Sequence, residues 1–168
     1  MKVEEIMTRD VKVCSPDTNL AAATEILWRN NCGSLAVSDT DGKLLGVITD
    51  RDICIALGTR NWRASDLAVR DVAINPVFSC GPDDDVHEAL KTMRKHQVRR
   101  VPVVHQDGKL AGIVCLDELV LHAEKPDSRK HAGISYEDVV NTMKAICEHR
   151  AAEPPKPAAM AAGAAVPL

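Results

Sequence analysis

The chain has 168 residues, of which 45% are hydrophobic, 27% charged and 2% aromatic; this suffices for one sizeable core or two small ones sharing a face, built from aliphatic side chains. A formal net charge of -3 offers no basic field for a phosphate backbone, and two Trp, one Tyr and one Phe give bases little to stack on, which excludes general nucleic-acid binding. The opening Met1-Lys2-Val3-Glu4-Glu5 runs straight into acidic residues, no stretch has the length of apolar sequence that a membrane span needs, and the six cysteines form no C-x-x-C pair; a cytoplasmic protein with free thiols and neither a membrane segment nor a zinc knuckle is expected.

Val11-Lys12-Val13 alternates as a short strand, ended by Pro16. Leu20, Ala23, Ile26 and Leu27 recur at three- and four-residue spacing and predict a helix with one apolar face. Leu35-Ala36-Val37 and Leu44 to Ile48 read as strands joined by a turn with Asp41-Gly42, where glycine accepts positive φ. A short helix from about Asp50 to Leu57 closes the unit.

The same order then returns. Cys14-Ser15-Pro16-Asp17 becomes Cys80-Gly81-Pro82-Asp83, and Asp41-Gly42-Lys43-Leu44-Leu45-Gly46 becomes Asp107-Gly108-Lys109-Leu110-Ala111-Gly112, both at the offset of 66 residues that separates Pro16 from Pro82. Val11, Ala23 and Val37 meet Val77, Ala89 and Val103 in the same register. Val86, Leu90 and Met93 mark the second long helix, with Asp83, Asp84 and Asp85 suited to its positive end. Val101 to Val104 and Leu110 to Val114 flank the second turn, and a helix from about Asp117 to Ala123 comes after them.

Residues 124 to 134 read as a loop, after which Ser135 and Asp138 form a capping box for one more helix with Val139, Met143, Ile146 and Cys147 as its apolar stripe. Ala151 to Leu168 holds eight Ala and four Pro without period, which predicts disorder. The expected fold is therefore α/β (α+β): one β-α-β-β-α repeat in residues 1–60, a second in 61–123, a linker and C-terminal helix in 124–150, and a tail in 151–168. Neither short copy can cover both faces of its sheet, so the two should pack about a pseudo-two-fold axis.

Gly46-Val47-Ile48-Thr49-Asp50-Arg51-Asp52 takes a strand into a helix. Free amides and the helix dipole make such a junction an anion site. Thr49 can donate to a phosphate oxygen, and Asp52, one turn on, can accept from the vicinal hydroxyls of a ribose. The same two residues read equally as an N-cap and its N3 partner, a capping box with no ligand.

The repeat, with G-h-h-T-x-x-D in Gly46 to Asp52 and h-R-R-h-P-V in Val98-Arg99-Arg100-Val101-Pro102-Val103, resembles a tandem pair of CBS domains (cystathionine β-synthase domains, a Bateman module) over residues 1 to 123. The resemblance implies two clefts that take an adenine nucleotide: AMP, ADP, ATP, NAD or S-adenosylmethionine. It places Thr49 at the phosphate with Asp50 beside it, Asp52 at the ribose, Gly33 and Ser34 near the phosphates, and adenine against Ile74, Asn75, Val77, Val98 and Arg99. The second cleft departs from the pattern, with Cys115 and Glu118 in place of Thr49 and Asp52. A hydroxyl is lost and the carboxylate is one methylene longer, while Arg99 and Arg100 would offer guanidinium forks to that cleft, unless they form a solvated edge.

The resemblance thus implies a regulatory sensor and homodimer acting in trans on another protein; the alternative is an interaction module without a ligand, its C-terminal helix and tail facing the partner. No enzyme is expected, since the sequence has no P-loop, G-x-G-x-x-G, G-x-S-x-G or H-E-x-x-H. His87, His96, His105, His122, His131 and His149 show no ligand spacing beyond Cys147-x-His149, and no metal site is expected. Cys14 and Cys80, at equivalent positions, read as small core residues, and the isolated Trp28 and Trp62 as packing or dimer contacts.

Overall fold

The computed structural model describes residues 1–73, 77–125 and 133–148. Repeat 1 runs β1 (Val13–Cys14), α1 (Leu20–Arg29), β2 (Ser34–Ser38), β3 (Leu44–Thr49) and α2 (Asp50–Arg60); repeat 2 runs α3 (Val86–His96), β4 (Arg100–Val104), β5 (Leu110–Cys115) and α4 (Leu116–Leu121). The chain continues through β6 (Ala123–Glu124), β7 (Ile134–Ser135) and α5 (Tyr136–Cys147). The predicted tail, Ile74, Asn75, His131 and His149 lie outside the described residues. Among the described residues no helix is long and apolar enough to cross a membrane.

In repeat 1, β2 pairs in parallel with β1 and antiparallel with β3. In repeat 2, β4 and β5 pair antiparallel, and the expected first strand is reduced, among the described residues, to one parallel bridge from Cys80 to Val103. That bridge is the counterpart of Cys14 with Val37. Both hairpins carry glycine at positive φ, Gly42 at 79° and Gly108 at 84°, as their Asp-Gly turns require. The hairpins meet where Lys43 bridges Lys109; Leu44 N donates to Gly108 O at 3.0 Å, and Leu110 N to Gly42 O at 3.2 Å. These pairs interchange under the 66-residue offset, so a pseudo-two-fold axis passes between the two lysines.

The cores cut across the linear order. Val3, Ile6 and Met7 are buried with Leu90, Met93, Val101 and Leu119 of repeat 2, whereas Leu67, Val69 and Ala73 join Leu20, Leu35, Ile48 and Ile53 of repeat 1. Each repeat's leading segment is thus exchanged onto the other's core. The backbone bonds repeat in register: Val3 N donates to Asp84 O at 2.9 Å and Val69 N to Thr18 O at 2.8 Å, while Val86 N donates to Met1 O at 3.0 Å and Leu20 N to Leu67 O at 2.9 Å. Burying side chains such as Val3, Val69, Leu20 and Leu90, each 0% exposed, stabilises the exchange by about 1.5–3 kcal/mol apiece.

The symmetry ends at α5, which lies on α3 and α4. Ser135 and Asp138 form the predicted capping box. Arg94 Nη1 donates to Thr142 Oγ1 at 3.1 Å, and Gln97 Nε2 donates to Ala145 O and Glu148 O, each at 3.0 Å. The inward face is consequently Val139, Thr142 and Ile146; Met143 and Cys147 of the expected stripe are exposed, because the polar anchors from α3 turn Thr142 inward in their place. Arg94 and Gln97 are the counterparts of Trp28 and Asn31 at the 66-residue offset, so α5 covers on repeat 2 the helical layer that repeat 1 leaves open. Trp28 is 85% exposed and Trp62 57%, and neither packs into this chain's cores.

Candidate nucleotide cleft

Thr49 ends β3 in an extended conformation and caps α2, and the capping box closes in full. Asp52 N donates to Thr49 Oγ1 at 3.2 Å, while Thr49 N and Thr49 Oγ1 donate to Asp52 Oδ2 at 3.0 and 2.7 Å. The Thr49 hydroxyl thus donates to Asp52. Both bonds that the carboxylate accepts end on Oδ2. Asp52 Oδ1 accepts no hydrogen bond from a described residue.

Ser34 pairs with Thr49 across the β2–β3 ladder, which sets Gly33 beside the first turn of α2. A Cβ on Gly33 would lie 3.1 Å from Arg100 Nη2 and 3.6 Å from Asp50 Oδ2. Glycine thus leaves room for a guanidinium from repeat 2 to rest against the backbone of repeat 1, with a carboxylate alongside. Arg100 pairs with Cys115 in its own ladder and reaches across the pseudo-axis, so it serves the Gly33–Asp50 side and not only the second cleft. Asp50 Oδ1 accepts from Arg51 N at 2.7 Å, a local contact at the start of α2.

At the equivalent junction of repeat 2, Cys115 caps α4 and its amide donates to Glu118 Oε2 at 2.8 Å. Burial, then the neighbouring Glu118 carboxylate, push the Cys115 thiol up to about 12 despite the opposing Arg100 charge, so it stays protonated. The longer Glu118 side chain has its other oxygen occupied as well: Thr8 Oγ1, on the exchanged N-terminal segment, donates to Oε1 at 2.7 Å.

Gly33, Ser34, Thr49, Asp50, Asp52 and Arg100 are brought to one region. Arg99 is exposed, Val77 is half-buried, and Val98 packs on the repeat 2 core. Thr8 had no place in the sequence-derived set, although the repeat offset signals it: Thr8 corresponds to Ile74, one of the positions implied as adenine-facing. A second feature was also missed, a groove of about 500 Å³ between α1 and α2 lined by Leu27, Trp28, Cys32, Ile53, Cys54 and Leu57, with Gly33 and Asp50 at its edge. Among the described residues no group of His, Cys, Asp or Glu is arranged to hold a metal ion.

The comparisons with known proteins agree with this architecture. The family model described as "CBS domain" matches residues 3–59 and 69–125. The protein YlbB of Bacillus subtilis is 33% identical over 135 residues, covering 80% of this chain and 89% of its own. Among solved structures, CBSX2 in complex with AMP superimposes with a TM-score of 0.63 at 26% identity, over 71% of this chain and 93% of that one. The CBS domain pair of MJ0100 in complex with 5-methylthioadenosine and S-adenosyl-L-methionine gives 0.65 at 25% identity, over 72% and 94%. With both repeats matched and the fold shared, the chain belongs to the CBS-domain family and carries two of its domains in tandem, the pair that forms a regulatory module.

Proposed function

We propose that this chain senses an adenine nucleotide in the cleft formed by β3, α2 and Arg100, and works by binding, without catalysis. The observation that carries the reading is the open Asp52 Oδ1 beside the Gly33–Arg100 contact: one carboxylate oxygen is left for a ribose diol, and a guanidinium from the other repeat stands where a phosphate would enter. A ligand held by Asp52 from repeat 1 and Arg100 from repeat 2 favours one relative setting of the two domains, and a partner protein can read that population shift. The solved relatives in complex with AMP, or with 5-methylthioadenosine and S-adenosyl-L-methionine, share adenosine as the common chemistry. AMP, ADP, ATP and NAD are the ligands to test first, together with those two.

A homodimer belongs to the same proposal. The open layer of α1 and α2, with Trp28 and the half-exposed Ile55, is the face through which two copies would pair.

A second reading is favoured by the completeness of the Thr49–Asp52 capping box: a pair with no ligand that only presents surfaces to a partner. Calorimetric titration with each adenine compound separates the two. On the first reading, one compound binds, and Asp52→Ala weakens it about 10- to 150-fold, the equivalent of about 1.5–3 kcal/mol for a hydrogen bond to a charged acceptor. The thermal midpoint of the variant is followed in parallel, since losing the N-cap partner costs about 0.5–2 kcal/mol of stability by itself. Absence of heat with every compound up to millimolar concentration leaves the second reading standing.

A further inference from the structure

The two junctions share a fold and differ at the second carboxylate oxygen. In the first, Asp52 keeps an oxygen to which no described residue donates; in the second, the corresponding oxygen of Glu118 accepts the Thr8 hydroxyl at 2.7 Å. Thr8 is held there by its backbone, which exchanges two hydrogen bonds with Ile113 at 2.9 and 3.0 Å, and by Met7 and Ile6 buried in the core behind it. The position that corresponds to Thr8 in the other leading segment is Ile74, an aliphatic residue without a hydroxyl to donate. Glu118 Oε2 is already taken by the Cys115 amide at 2.8 Å.

We propose that Thr8 closes the second cleft to ribose, its hydroxyl taking the place of a sugar hydroxyl on Glu118, so that the chain takes one nucleotide, at Asp52. This rests on the sensor reading above for its stoichiometry, but the Thr8–Glu118 cap is a property of the protein without ligand. The cap is intramolecular and short, and its acceptor is a carboxylate. A hydrogen bond of that kind is worth a factor of about 10–150 against a ribose competing for the same oxygen. The extra methylene of Glu118 relative to Asp52 is what lets the carboxylate reach the N-terminal segment, and at Cys115 a thiol, a weaker donor, stands where Thr49 gives a hydroxyl to Asp52. Three differences between the repeats, at positions 8, 115 and 118, thereby describe one local device.

The test has a ligand-free arm and a binding arm. Without ligand, hydrogen exchange over residues 1–8 is expected to run several-fold faster in the near-isosteric Thr8→Val than in the parent protein, and unchanged exchange overturns the cap whatever the nucleotide does. In the binding arm, AMP is counted per chain by equilibrium dialysis at saturation. The parent and Cys115→Thr should each bind one, the double variant Thr8→Val/Cys115→Thr two, and adding Glu118→Ala to the double variant should return it to one. Two AMP bound by the parent, two by Cys115→Thr alone, or one by the double variant despite faster exchange, each overturns the exclusion. If the parent binds no AMP, the sensor reading fails for AMP, and the exchange arm alone decides the cap.

Discussion

The exchange of leading segments makes a sharp prediction at Gly112. A Cβ there would lie 2.7 Å from Met7 Sδ and 2.9 Å from Thr8 O, closer than side chains tolerate. The thioether can rotate away; the carbonyl cannot, because it accepts from Ile113 N at 3.0 Å while Thr8 N donates to Ile113 O at 2.9 Å. Gly112 is not one of the positive-φ glycines, so Gly112→Ala tests the contact alone. To admit a methyl group the segment must lift off β5, losing two backbone hydrogen bonds at about 0.5–1.5 kcal/mol each and part of the burial of Met7. Set against about 0.4–1 kcal/mol gained from a less flexible unfolded chain, the net loss is about 2 kcal/mol, a fall of about 4–8 °C in the thermal midpoint of a chain this size. Gly46→Ala is the mirror experiment, with Ala73 O at 2.8 Å. Thermal unfolding joined to hydrogen exchange should show residues 1–8 loosened by the first variant and residues 64–73 by the second. Loosening of the same segment by both variants, or a midpoint shift of less than about 1 °C in Gly112→Ala, would refute the crossed packing.

Three further outcomes are expected. In thiol titration with an aromatic disulfide, the exposed Cys54 and Cys147 react first and Cys14, Cys80 and Cys115 last, since burial pushes the first two of these up to about 11 and the third to about 12 and only the thiolate attacks; rapid labelling of Cys14 in the folded protein would contradict that core. The Asp138 carboxyl is held below the usual carboxylate range, first by the Ser135 hydroxyl and then by the Ser135 amide, His87 and Arg94. Its stabilisation of α5 is complete above the ordinary carboxylate pKa and fades as pH falls through the lower folded value, so the protection of α5 amides relative to the intrinsic exchange rate at each pH should fall on acidification, and fall less in Asp138→Asn. Trp28→Lys, on the open α1–α2 layer, should convert a dimer to monomer by light scattering without lowering the thermal midpoint of the isolated chain; a fall in that midpoint would mean that Trp28 packs within its own chain.

Much of the fold can be read from the chain because the same physics is written twice. Helical spacing in Leu20, Ala23 and Leu27 and in Val86, Leu90 and Met93 names the buried faces, and the Asp-Gly turns fix both hairpins. What the sequence conceals is non-local. Nothing in Val3, Ile6 and Met7 says that they pack on repeat 2, since an apolar segment fits either of two homologous cores and only the distance to cross decides. The α5 stripe went astray at Thr142 and Met143 because hydropathy ranks methionine inside, whereas Arg94 draws the threonine hydroxyl inward. In the site, Thr49 and Asp52 are legible as a pair, but their mutual bonding is not, as ligand holding and helix capping demand the same residue types at the same spacing. Arg100 could be assigned to either cleft until its reach to Gly33 was known.

That reach bears on how strong a signal the pair can send. A ligand shifts a two-state equilibrium only by its differential affinity, and going from 1:99 to 99:1 requires a factor of about 10⁴. One ribose contact at Asp52 supplies at most about 10–150, when it is made in one state alone, which gives a chain with a single working cleft a graded response. Two routes raise the factor. The phosphate contact with Arg100 adds only if that guanidinium leaves Gly33 and Asp50 in one of the two states, because a contact made equally in both shifts nothing. Pairing of two copies that switch together squares the single-site factor, to about 10²–10⁴, and so reaches the range of a switch without any new contact. On the proposed reading, a repeat 2 whose cleft is capped by Thr8 and whose helical layer is covered by α5 is the fixed frame, and binding and pairing both fall to repeat 1.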